Sequence, residues 1–105
     1  IYRFLKRMGE RVHSPVQIVL FTIKEAENAD RRGVEGRMRS FGGLLSKTIR
    51  RGDVMVRCGN KQFMVLLIGA NEGNRHIAID RIMNRRSEEE RKNYPIQYEV
   101  NTLIS

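Results

Sequence analysis

A chain of 105 residues makes one domain, near the lower end of what supports its own core. With 40% hydrophobic and 30% charged residues, no repeat and no apolar run beyond 18–21 and 63–68, it is neither fibrous nor bilayer-crossing. A net charge of +8 favours anionic partners (nucleotides, nucleic acid, an acidic protein face), unless the basic residues merely solvate outer helices.

Ile1, Leu5, Met8 and Val12 recur at helical spacing between Arg3, Lys6, Arg7, Glu10 and Arg11, predicting an amphipathic helix that Ser14-Pro15 stops. Because it is basic and broken by charges, this opening is not read as a signal peptide. The β-branched run VQIVLFTI at 16–23 has the pattern of a central strand covered on both faces. A polar segment at 24–33 follows. Met38, Phe41, Leu45 and Ile49 then mark a second helix ending near Arg51-Gly52, with Gly42-Gly43 inside it as a point of close packing.

Residues 54–57 and 62–68 are two short strands, and Gly59-Asn60 between them suits a tight turn with positive φ. After a turn at 69–73, His76, Ile79, Ile82 and Met83 predict one face of a third helix. The charged stretch 84–93 reads as fading into a loop before Pro95. Alternation of Ile96, Tyr98, Val100, Thr102 and Ile104 with polar residues predicts a half-buried last strand. Without the first helix the order is β-α-β-β-α-β, an α+β, ferredoxin-like sheet with two helices on one face.

That arrangement serves many activities, so function must be argued from sites. The informative segment is RRGDVMVRCGNKQFMVLLIG at 50–69. Arg50-Arg51-Gly52-Asp53 is an R-x-x-D motif, five residues follow, and Gly59-Asn60-Lys61-Gln62-Phe63 opens the next apolar strand. This resembles the core of GGDEF (diguanylate cyclase-type) domains, in which R-x-x-D precedes a Gly-Gly-Asp/Glu-Glu-Phe hairpin by the same spacing. Asp80-Arg81-Ile82 is similar to the acidic-Arg-Ile segment of the family's following helix. The resemblance spans nearly the whole chain, read as a single domain 1–105 of a larger multidomain bacterial protein. A complete family member continues for roughly another helix and strand.

The resemblance also implies what is lost. Family members join two GTP molecules with divalent metals held by a carboxylate on the first strand and one in the hairpin. Mg²⁺ requires such hard anionic oxygens. Here Lys61 and Gln62 replace the hairpin acids, and strand 16–23 contains neither Asp nor Glu. Glu25 and Glu27 lie just beyond it, Asn28 sits one position from the family's guanine-binding asparagine, and Glu35 falls where the guanine-recognising acid belongs. The expectation is a degenerate domain, not an enzyme, with no metal and no cofactor.

In the family, R-x-x-D with an arginine from the next helix binds cyclic di-GMP. Arg50, Asp53 and Arg81 match those positions, and two readings stand side by side. A fork of arginine donors and a carboxylate acceptor suits a guanine edge. A helix end, however, also favours basic residues, glycine and a turn-forming aspartate with no ligand. Partners expected on this basis are cyclic di-GMP, neighbouring domains or other proteins, or a second copy, with no membrane contact. RNA binding is disfavoured, because Phe21 and Phe63 alone do not make a stacking platform on the two central strands. His13 and His76 have no metal-ligand spacing. Cys58, the single cysteine, agrees with a reducing cytoplasmic location and reads as an ordinary thiol.

Overall fold

The computed structural model describes residues 14–24 and 31–105, so the expected first helix, His13, Glu25, Glu27 and Asn28 lie outside the described residues. Seven elements follow one another: β1 (Val16–Ile23), α1 (Arg31–Thr48), β2 (Val54–Arg57), β3 (Gln62–Ile68), α2 (Arg75–Asn84), α3 (Glu88–Asn93) and β4 (Ile96–Ile104). The strands pair in the order β2-β3-β1-β4, every pair antiparallel. This is the expected ferredoxin-like α+β sheet.

β3 and β1 are the two inner strands, and both are apolar at nearly every position. The period-two alternation of β1 sends Val19, Phe21 and Ile23 to one face. Their partners in register, Val65 opposite Val19 and Phe63 opposite Phe21, extend that face across β3. From above, α1 contributes Met38, Phe41 and Leu45, while α2 contributes Ile79 and Ile82. These residues form one buried cluster with Tyr94 and Ile96. Each fully buried side chain of this size stabilises the fold by about 1.5–3 kcal/mol. The opposite face is apolar as well: Val16 and Leu66 are fully buried, with Ile18, Val54, Met64 and Ile68 half-buried around them.

The structure corrects the sequence reading in five places. α1 starts at Arg31, so Gly33 belongs to its first turn and not to a polar segment. It stops at Thr48, before Arg51-Gly52, because the Asp53 carboxylate takes the Arg50 amide (3.0 Å) that would have continued the helix. The stretch 84–93 is not all loop. Ser87 caps α3, its hydroxyl accepting from the Glu90 N–H at 3.1 Å and donating to Glu90 Oε1 at 3.2 Å. Ser-x-x-Glu is a capping-box spacing, and that signal was present in the sequence. His76 is exposed and does not join the face of Ile79 and Ile82. Finally, the β2–β3 connection is a four-residue loop, 58–61, closed by the Cys58 N–H donating to the Gln62 carbonyl at 3.1 Å. Among the described glycines, positive φ occurs at Gly69 (86°), where β3 turns away, and not at Gly59.

The adjacent glycines of α1 differ in kind. A Cβ on Gly42 would stand 3.0 Å from the Phe63 ring, whereas on Gly43 it would meet nothing within 4 Å. Alanine gains about 1 kcal/mol over glycine in a helix interior. Gly43→Ala should therefore stabilise by up to about 1 kcal/mol, and Gly42→Ala should destabilise as the ring is pushed aside. Urea unfolding of the two variants checks this, and a gain at both positions would mean the Phe63 contact is loose.

Candidate ligand-binding site

Arg50 and Asp53 sit in the turn between α1 and β2, and Arg81 lies one turn before the end of α2. The structure brings all three to the wall of one cavity of about 200 Å³. Gly69, Asn74 and Ile77 complete its rim. Gly69 donates its N–H to the Pro15 carbonyl at 2.7 Å, tying the end of β3 to the start of β1. Ile77 is a large apolar side chain left 54% exposed at the mouth.

Asp53 is held rigidly. One carboxylate oxygen accepts from the Arg50 N–H at 3.0 Å and the other from the Ile68 N–H at 3.1 Å. The carboxylate thus ties the start of β2 to the end of β3, while each oxygen keeps a further lone pair. Arg81 is the opposite case. Its Nε and one Nη are buried and have no hydrogen-bond partner among the described residues. Leaving a buried donor unsatisfied costs about 1–3 kcal/mol, more when it is charged. A guanidinium in that condition beside a second arginine is matched to an acceptor-rich anion.

The signature hairpin is built differently. Gly59, Asn60 and Lys61 are exposed, Gln62 is half-buried, and Phe63 is buried against Phe41 with ring centroids 6.0 Å apart. The Gln62 amide donates to the Thr22 hydroxyl across the β1–β3 pair at 3.2 Å. The Lys61 carbonyl accepts from the Ile23 N–H at 2.8 Å. Around Gln62 and Thr22 lies a shallow cavity of about 520 Å³, with Lys24 and Glu99 on its rim. Glu99 is the one carboxylate in that lining, and beside it stand a neutral amide, a neutral hydroxyl and Lys24, a poor donor set for a divalent ion that needs several anionic oxygens. Among the described residues no three His, Cys, Asp or Glu side chains cluster.

Sequence reasoning missed the state of Glu35. Its carboxylate receives both forks of Arg57, at 2.6 and 3.2 Å, and Arg57 also reaches the Gly59 carbonyl at 3.3 Å. The hydrogen bond to Glu35 raises the already high pKa of Arg57. Arg57 stands in the five-residue spacer that the motif leaves unspecified, so no local signal pointed to it. Glu35 is thus clamped to the hairpin by an exposed ion pair. Open-face positions on the two central strands, Ile18, Leu20, Met64 and Leu66 among them, carry no aromatic ring, in keeping with the poor stacking platform expected from the sequence. No described helix is long and apolar enough to cross a membrane.

No family model matches the sequence, and no curated protein matches it. Solved structures do match. The active GGEEF domain of a diguanylate cyclase from Vibrio cholerae aligns with a TM-score of 0.77 at 15% identity, covering 99% of this chain and 72% of that one. A DGC protein from Thermotoga maritima aligns with a TM-score of 0.68 at 18% identity, covering 93% and 72%. The fold is that of diguanylate cyclase GGDEF domains. Within this GGDEF-like fold, the cavity of Arg50, Asp53 and Arg81 and the hairpin of Gln62 are separate sites, lined by different residues.

Proposed function

We propose that this is a regulatory GGDEF-like domain of bacterial signalling, without cyclase chemistry, that binds cyclic di-GMP through Arg50, Asp53 and Arg81. The observation that carries the reading is the buried, unpartnered guanidinium of Arg81 in one cavity with the other two residues. A guanine offers O6 and N7 to an arginine fork and N–H donors to a carboxylate. Asp53 is already oriented for this by its two backbone amides. The cavity, about 200 Å³, is below the 300–1,000 Å³ of a whole-ligand pocket, so it seats one base with the rest of the ligand lying outside. Ile77 at the mouth offers apolar surface to the base.

The absence of cyclase chemistry is supported by the donor set at the hairpin. The Gln62–Thr22 pair and Lys61 supply no anionic oxygen for a metal that must neutralise phosphates during transfer. A second reading, a protein-interaction module with no small ligand, is favoured by one observation. Asp53 satisfies two backbone amides as it stands and so has a structural role of its own.

Isothermal titration with cyclic di-GMP separates the two. The wild-type domain should bind saturably in the micromolar range, and Arg50→Ala should weaken binding about 10- to 100-fold, the loss of one charge-assisted fork. No heat at high micromolar ligand would leave the interaction module.

A further inference from the structure

Beside that cavity a second depression, of about 400 Å³, runs between α1 and the α2–α3 corner. Three cations converge on it: Arg39 and Lys47 from α1 and Arg85 from just beyond α2. None of their side chains makes a hydrogen bond or ion pair among the described residues. The single carboxylate in the groove is Glu90. Its two oxygens already accept from the Ser87 hydroxyl at 3.2 Å and the Tyr94 hydroxyl at 3.0 Å. Glu90 offsets one of the three cations, so the groove keeps an excess of two positive charges.

The floor of the groove is apolar and open. Gly43 and Leu44 lie between the charged ends, and nothing stands within 4 Å of where a Gly43 Cβ would point. Along α1 the lining repeats as Arg39-Ser40, Gly43-Leu44 and Lys47-Thr48, a stripe two helical turns long, about 12 Å. A groove with cations at both ends and an apolar gap between them fits one kind of partner. That partner is a short helix carrying an apolar side chain flanked by carboxylates one turn away on either side.

We infer that this groove is a docking surface for an acidic amphipathic helix of another protein or domain. A second copy of the chain fits less well, because each copy carries +8 and the two would repel. A nucleic acid fits less well too, since the groove is a short concave cleft with no exposed ring on which to stack a base. The inference stands whether or not the neighbouring cavity takes cyclic di-GMP, because no groove residue lines that cavity.

The test uses the 105-residue chain. The probe is a fluorescein-labelled, helix-favouring 15-residue peptide with glutamates one turn either side of a leucine, read by anisotropy at physiological salt. Comparison probes are the same peptide with lysines for glutamates and a single-stranded RNA of equal length. The acidic peptide should bind saturably. Arg39→Glu with Lys47→Glu should weaken it at least tenfold, and so should Gly43→Phe, which fills the floor without touching a charge. Lys24→Glu with Lys61→Glu changes the net charge equally, at the hairpin end of the sheet and outside the groove lining, and should leave binding within about twofold. Thermal unfolding of each variant confirms that it is folded. Four results would overturn the inference: no binding, equal loss in the control pair, tighter binding of RNA, or self-association in sedimentation that Arg39→Glu with Lys47→Glu abolishes.

Discussion

Replacing Phe41 with alanine should lower the stability of the domain by about 3–5 kcal/mol, the cost of truncating a fully buried aromatic. Phe41 joins α1 to two strands at once. Its ring meets Phe21 of β1 edge-on, with centroids 5.4 Å apart, and Phe63 of β3 at 6.0 Å. Both neighbours are anchored in the sheet: Phe63 in β3 has its tip 3.0 Å from where a Gly42 Cβ would stand, and Phe21 lies in β1 between β3 and β4. The void would therefore persist, and its volume adds to the lost transfer energy. A domain of this size has about 5–15 kcal/mol in all, so the variant should sit near the edge of folding. Its melting temperature should fall by about 15–30 °C, read by circular dichroism. A loss under about 1 kcal/mol would mean that the three rings do not form one cluster.

Replacing Arg81 with methionine should separate binding from stability. Methionine keeps the length and apolar contacts of the arginine stem but removes the buried Nε and Nη that have no partner. In the free domain that removal relieves an unpaid desolvation, so stability should stay the same or rise by about 1 kcal/mol. Affinity for cyclic di-GMP should fall about 10- to 100-fold, because the guanine edge loses its charged fork. Most substitutions that impair a binding site also loosen the fold, and this one should do the reverse. Titration and urea unfolding of the same preparation read both effects. Destabilisation by 2 kcal/mol or more would show that Arg81 is a structural residue, and the proposed ligand site would lose its main support.

The strands were legible in the sequence to the residue. β1, β2 and β3 end where the β-branched alternation ends, at Ile23, Arg57 and Ile68. Strand limits are local here because a turn residue or a charge interrupts each run, and pairing follows once the apolar face is set. The R-x-x-D motif, Arg81 and the residues Lys61 and Gln62 are equally local, being matters of residue type and spacing. From these the sequence alone determined the ferredoxin-like order and the resemblance to GGDEF domains.

Tertiary structure decided what each charged side chain does. Arg57, Arg81 and Arg86 look alike in the chain, yet Arg57 is spent on Glu35 and Arg81 lies in a cavity without a partner. Arg86 is 5% exposed, donates to the carbonyls of Glu90 and Tyr94, and stacks 4.8 Å above the Tyr94 ring. Burial pushes its pKa down, as it pushes that of Tyr94 up. The partners that separate these fates lie between 2 and 22 residues away, or are absent among the described residues. The helix ends are more local: α1 stops where the Asp53 carboxylate, three residues on, captures the Arg50 amide. Apolar periodicity reports which face is buried, because burial is shared by every residue on that face. The destination of one long polar side chain depends on a few atoms brought near it by the whole fold, and no short window of sequence contains them.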